Sequence, residues 1–60
     1  MKMWIARDLN DKLTLHLEKP VWYERIECWS DVIYELNWTL FPEVTFENSP
    51  MEVELKLIEK

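Results

Sequence analysis

The chain has 60 residues, of which 48% are hydrophobic and 32% charged, with a formal net charge of −5. That is one small domain with enough apolar residues for a core, which excludes a disordered tail. A single cysteine excludes an internal disulfide, a single histidine excludes the usual zinc ligand sets, and the absence of glycine excludes a phosphate-cradling glycine loop. No apolar run approaches the roughly 20 residues that span a bilayer, and no basic-then-apolar leader is read, so no membrane association is expected.

Charge divides unevenly. Residues 1–25 carry five basic and four acidic side chains, whereas residues 26–60 carry two basic and eight acidic ones. Phosphate recognition needs clustered cations, so nucleic acid is a poor partner for this chain. A domain of this size buries only about 60% of its unfolded surface. It therefore leans on efficient packing or on a partner, and its eight aromatic rings exceed what one small core encloses.

In chain order, residues 2–7 read as a first strand. Asp8-Leu9-Asn10-Asp11 supplies turn chemistry without glycine, because Asn and Asp tolerate left-handed backbone. Leu13, Leu15 and Leu17 alternate with Thr14, His16 and Glu18, which predicts a second strand over 13–18 with His16 on its wet face. Residues 21–41 support two readings. Trp22, Ile26, Trp29, Ile33, Leu36 and Leu40 form a helical stripe, which gives an α+β alternative with a central helix near 22–40. The Val, Ile, Tyr and Trp content favours strands near 21–29 and 31–37. A single helical turn is expected at 38–41, stopped by Pro42. Asn48-Ser49-Pro50 marks a turn, and Met51, Val53, Leu55 and Leu57 alternate with Glu52, Glu54 and Lys56 in a last strand over 51–58. The expected fold is mainly β, a small antiparallel sheet of four to five strands, with Ile5, Leu13, Leu15, Leu17, Leu36, Phe46, Val53, Leu55 and Leu57 in the core.

Two stretches resemble a known family. Trp4-Ile5-Ala6-Arg7-Asp8 with its Asn/Asp turn, Leu-alternating strand and Lys19-Pro20 resembles the start of a family of short uncharacterised proteins of gut-associated bacteria and their prophages or mobile elements. Leu40-Phe41-Pro42-Glu43-Val44-Thr45-Phe46-Glu47-Asn48-Ser49-Pro50, followed by Glu52-Val53-Glu54-Leu55, resembles the end of the same family. Where family members carry a glycine in the first turn, this chain has Asp11-Lys12. The resemblance implies a mainly β domain and a cytoplasmic bacterial or phage context, and brings no activity and no functional residues.

No catalytic set emerges. Cys28 in an apolar stretch reads as a buried hydrophobe and His16 as a surface residue, rather than as a nucleophile and base. Glu52, Glu54, Glu43 and Glu47 read as a solvated acidic face rather than a metal or acid/base site. No cofactor or metal is implied. The aromatics are the most informative feature: Trp4 and Trp38, with Arg7 and Arg25 as accompanying cations, form the candidate interface. The expected function is a non-enzymatic protein-interaction module, acting by self-association as a symmetric homodimer or by binding another protein. The alternative is a small-ligand or nucleotide-binding protein with an aromatic pocket, in which Arg7, Arg25 and Lys12 contact the anionic groups.

Overall fold

The computed structural model describes residues 2–54. Six strands make two antiparallel sheets: β1 (Lys2–Arg7), β2 (Leu13–His16), β3 (Trp22–Tyr23), β4 (Cys28–Trp29), β5 (Tyr34–Leu36) and β6 (Met51–Glu54). The main sheet runs β5-β2-β1-β6, and β3 and β4 form a separate hairpin. The domain is mainly β, as the alternating patterns predict, and no helix occurs among the described residues. The expected positions of Leu55 and Leu57, and of the last strand beyond Glu54, lie outside the described residues.

The first hairpin closes without glycine. Asp11 takes the left-handed position at a φ of 70°, its N–H donates to Asp8 O at 3.1 Å, and Asp8 N–H donates to Lys12 O at 2.8 Å. This is the turn chemistry that a short polar side chain makes affordable.

The central helix alternative is overturned. Residues 22–29 form a two-residue-per-strand hairpin that pairs Trp22 with Trp29 and Tyr23 with Cys28. Glu27 and Asp31 adopt φ values of 50° and 52°, which interrupt any helix at two places in the stretch. The β-rich side chains of the segment then find partners: Trp22 meets Trp29 edge-on across the hairpin at 5.2 Å between ring centroids, and Phe46 from the later loop at 4.8 Å. The expected helical turn at 38–41 is reduced to one tight turn, with Leu40 N–H donating to Asn37 O at 3.0 Å.

Register sorts the side chains of the main sheet onto two faces. Ile5 opposes Leu15, Arg7 opposes Leu13, Leu13 opposes Leu36, and Met3 opposes Val53. On this face Ile5, Leu13 and Val44 form the buried centre, with Leu15, Leu36 and Val53 packed around them. Phe46 is half-buried against the two tryptophans instead. Leu17, expected in the core, is 56% exposed, because β2 ends at His16 and the chain turns away before Leu17 reaches the sheet.

The opposite face holds Trp4, Ala6, Thr14 and His16, and its middle is fully enclosed. His16 was expected on the wet side and is completely buried. Its Nδ1 lies 3.3 Å from Asp31 O, and its Nε2 lies 2.8 Å from Thr14 Oγ1. The chain beyond β4 covers this face, and Trp29 anchors the cover by donating its indole N–H to Arg7 O at 3.1 Å.

Candidate functional site

The segment between β5 and β6 has no regular structure, yet it is tied down by side chains. Asn37 Oδ1 accepts from Thr39 N–H at 3.0 Å and from Thr39 Oγ1 at 2.7 Å. Further on, Thr45 N–H donates to Asn48 Oδ1 at 2.8 Å, and Ser49 Oγ donates to Thr45 O at 2.6 Å. Arg7 N–H donates to Ser49 Oγ at 2.8 Å, fastening the segment to β1 just before the cis Ser49–Pro50 bond.

Arg7 is the centre of this arrangement. It is only 6% exposed, and each of its five N–H groups donates to a backbone carbonyl. Nε reaches Val44 O at 3.0 Å, Nη1 reaches Asp11 O and Trp38 O at 2.8 Å each, and Nη2 reaches Leu40 O and Phe41 O at 3.1 Å each. The planar fork of a guanidinium carries just five such donors, so the side chain is saturated. Five oriented carbonyl dipoles stand in for a counter-ion. Arg7 thus shapes the loop from inside, and holds no donor free for a ligand.

The loop that Arg7 gathers forms one wall of an open cleft of about 440 Å³, which Arg7, Asp8, Asp11, Trp38, Phe46 and Glu47 help to line. A neighbouring cleft of about 450 Å³ lies between Trp38, Lys12 and Glu35, whose head groups are 3.6 Å apart. Trp38 stands between the two clefts and is 66% exposed. Asp8 is 8% exposed, and its Oδ1 is buried without a hydrogen-bond partner. Burial pushes its carboxyl above the ordinary aspartate range, against the opposing pull of Lys12 and His16.

Of the four residues that the sequence nominates, Arg7 and Trp38 come together here, joined by the 2.8 Å bond to the Trp38 carbonyl. Trp4 is half-buried on the sheet, with Lys19 Nζ 5.7 Å from its ring centroid. Arg25 is exposed in the turn between β3 and β4 and lines neither cleft. The sequence marks Asp8 and Asp11 only as turn residues; nothing in their spacing signals that a loop about 30 residues downstream closes over them. Neither ring nitrogen of His16 meets Cys28, which is a free, half-buried thiol on β4. Among the described residues no three His, Cys, Asp or Glu side chains are grouped to hold a metal ion, and no helix is long and apolar enough to cross a membrane.

No known protein family matches the chain, and neither a curated protein nor a solved structure matches it significantly.

Proposed function

We propose that this chain is a non-enzymatic protein-interaction module, of the kind that serves a phage or mobile element as an accessory or inhibitory protein. The observation that carries the reading is the balance of apolar surface. Among the described residues six hydrophobic side chains are buried, whereas twelve large ones are exposed, including Ile26, Tyr34 and Trp38 at 64–66%. Large apolar surface left open on a small domain marks a site of association.

The outer strand β5 supports self-association as the first mode. Val32 and Ile33 just before it and Tyr34 at its start are exposed in succession, and the far edge of β5 has unpaired backbone groups. A two-fold dimer that uses the same patch on both copies is the commonest closed solution. Sedimentation equilibrium of the full chain at micromolar concentration tests this: a dimer mass is expected, with Tyr34→Ser shifting the population to monomer. A monomer mass at every concentration overturns self-association and leaves the exposed residues to a different protein.

The second reading, a small-ligand or nucleotide site, draws on the cleft beside Trp38, whose volume suits a small molecule. Its one lining cation is Arg7, which offers no free donor to phosphate, and three carboxylates line the same cleft. A thermal-shift screen separates the readings, because a ligand that binds only the folded state raises the melting temperature.

A further inference from the structure

Three observations converge on the cleft beside Trp38. The first is an exposed ring on a fixed backbone: the Trp38 side chain is mostly in solvent, while Arg7 holds its carbonyl at 2.8 Å. Binding immobilises side chains and loops at a free-energy cost, and a ring carried by an already pinned turn incurs less of it. The second is charge. Asp8, Asp11 and Glu47 line the cleft against Arg7 alone, and Glu35 lies beyond Trp38 with its charge partly answered by Lys12. The third is Asp8, nine-tenths buried in the lining of the cleft, a carboxylate with no ion-pair partner among the described residues. A carboxylate so placed adds negative charge to the cleft that no neighbouring side chain neutralises at contact distance.

All three features call for the same chemistry, a cation that carries N–H donors. We infer that the cleft receives a basic side chain, lysine or arginine, presented by a partner polypeptide, with its head group over the Trp38 ring and facing the negative lining of Asp8, Asp11 and Glu47. The assignment rests on the interaction-module reading and names the chemistry of the partner. An aromatic face attracts a cation through its quadrupole, most strongly for tryptophan. A cation beside Asp8 also relieves the penalty that burial places on its charged form. A polypeptide is favoured over a free amine because Leu40 and Phe41, each 45% exposed, continue the apolar surface from Trp38 along the same turn and offer contact beyond one head group.

The test is an NMR titration of the isotope-labelled full chain with octalysine and, in parallel, with octaglutamate. It is run at about 150 mM salt, where charges more than about 8 Å apart are largely screened. Octalysine is expected to shift the Trp38 indole N–H and the amides of Leu9 and Thr45 saturably, and octaglutamate to leave them in place. Trp38→Ala should weaken octalysine binding roughly tenfold. The double variant Asp11→Asn, Glu47→Gln should weaken it comparably without disturbing the fold, since asparagine tolerates the left-handed backbone at position 11. Shifts spread over Glu24, Glu27 and Glu52 with Trp38→Ala binding like the wild type, or no octalysine binding at all, would overturn the assignment. If sedimentation still shows a Tyr34-dependent dimer in that case, the cation assignment fails alone. If the chain is monomeric as well, self-association fails together with the cation assignment.

Discussion

The carbonyl of Phe41 accepts a hydrogen bond from Nη2 of Arg7 at 3.1 Å, and Phe41 is held at a φ of 47°. A bulky residue in the left-handed region is strained by about 1–2 kcal/mol, because its Cβ crowds the following carbonyl. The neighbouring Leu40 carbonyl also turns inwards to the same guanidinium nitrogen. Reversing the chain at Phe41 lets two successive carbonyls point at one buried donor, and Pro42 prevents the turn from continuing as helix. The strain at Phe41 and the saturation of Arg7 are therefore two sides of one arrangement, and each tells against changing the other.

Arg7→Lys is expected to be severely destabilising although it keeps the charge. An ammonium has three donors on a flexible stem and cannot meet five carbonyls arranged around a planar fork. The carbonyls left without a donor cost about 1–3 kcal/mol each where water cannot reach them. A loss of about 3–5 kcal/mol is expected by urea denaturation, a large share of the total stability of a domain this small. A loss below about 1 kcal/mol, the range of an exposed pair, would mean that the guanidinium is not the organiser of the loop.

Left-handed backbone without glycine gives a second prediction. Glu27 closes the turn between β3 and β4 at a φ of 50°, and it is exposed. Glu27→Gly relieves about 1–2 kcal/mol of left-handed strain and gives back about 0.5–1 kcal/mol through the greater freedom of the unfolded chain. A net gain of about 0.5 kcal/mol is expected, visible as a melting-temperature rise of a few degrees. Phe41→Asn relieves the same kind of strain without that entropy loss, but removes a ring that is 45% exposed beside Trp38. Circular dichroism melts of the two variants compare the sites directly, and a lower melting temperature for Glu27→Gly would contradict the strain argument.

A third prediction compares adjacent residues on β2 and just beyond it. His16 is fully enclosed, with Thr14 and Asp31 at its two ring nitrogens, whereas Leu17 is largely in solvent. His16→Ala leaves a cavity and unpartnered polar atoms, for an expected loss of about 2–4 kcal/mol. Leu17→Ser should stay within about 0.5 kcal/mol of the wild type. Urea midpoints measure both, and equal losses would mean that β2 continues to Leu17 with its apolar face covered.

That pair of residues shows how far the sequence speaks for itself. Period-2 alternation in 13–18 correctly separates Leu13 and Leu15 from Thr14 and His16, and the same signal locates the start of β6. Alternation says which side chains share a face, not which face is covered. The cover over His16 comes from Asp31, fifteen residues away, and no local pattern carries that distance. The core place of Val44 and the captivity of Arg7, which the sequence offers only as an interface cation, escape notice for the same reason, since each depends on where an irregular loop lands. At the candidate site, the exposure of Trp38 follows from its place in a turn between strands, which the residues around Pro42 make legible. The acidic wall opposite it does not, because Asp8 and Asp11 look like ordinary turn residues until the loop folds back on Arg7.

The last prediction concerns Asp8, where stability and the proposed role diverge. Desolvation raises its carboxyl above 3.8, outweighing the attraction of Lys12 and His16, while Glu35 adds to the rise. The folded state therefore favours the protonated acid more than the unfolded chain does. Linkage then fixes the sign: the native state binds more protons, so stability falls as pH rises from the unfolded value near 3.8 through the higher folded one. Above that window the penalty is fully present, and below it the penalty vanishes. Asp8→Asn replaces the carboxylate with a neutral group of similar shape, so it should raise the urea midpoint at pH 7 and lose that advantage below pH 3.8. A gain that persists unchanged into acid would mean that shape, not charge, is at stake. The same substitution removes the negative charge proposed to meet a basic side chain, so the variant should bind octalysine less tightly at pH 7 even as it becomes more stable. A functional group retained at the expense of stability behaves in this opposed way, whereas a structural aspartate would lose both properties together.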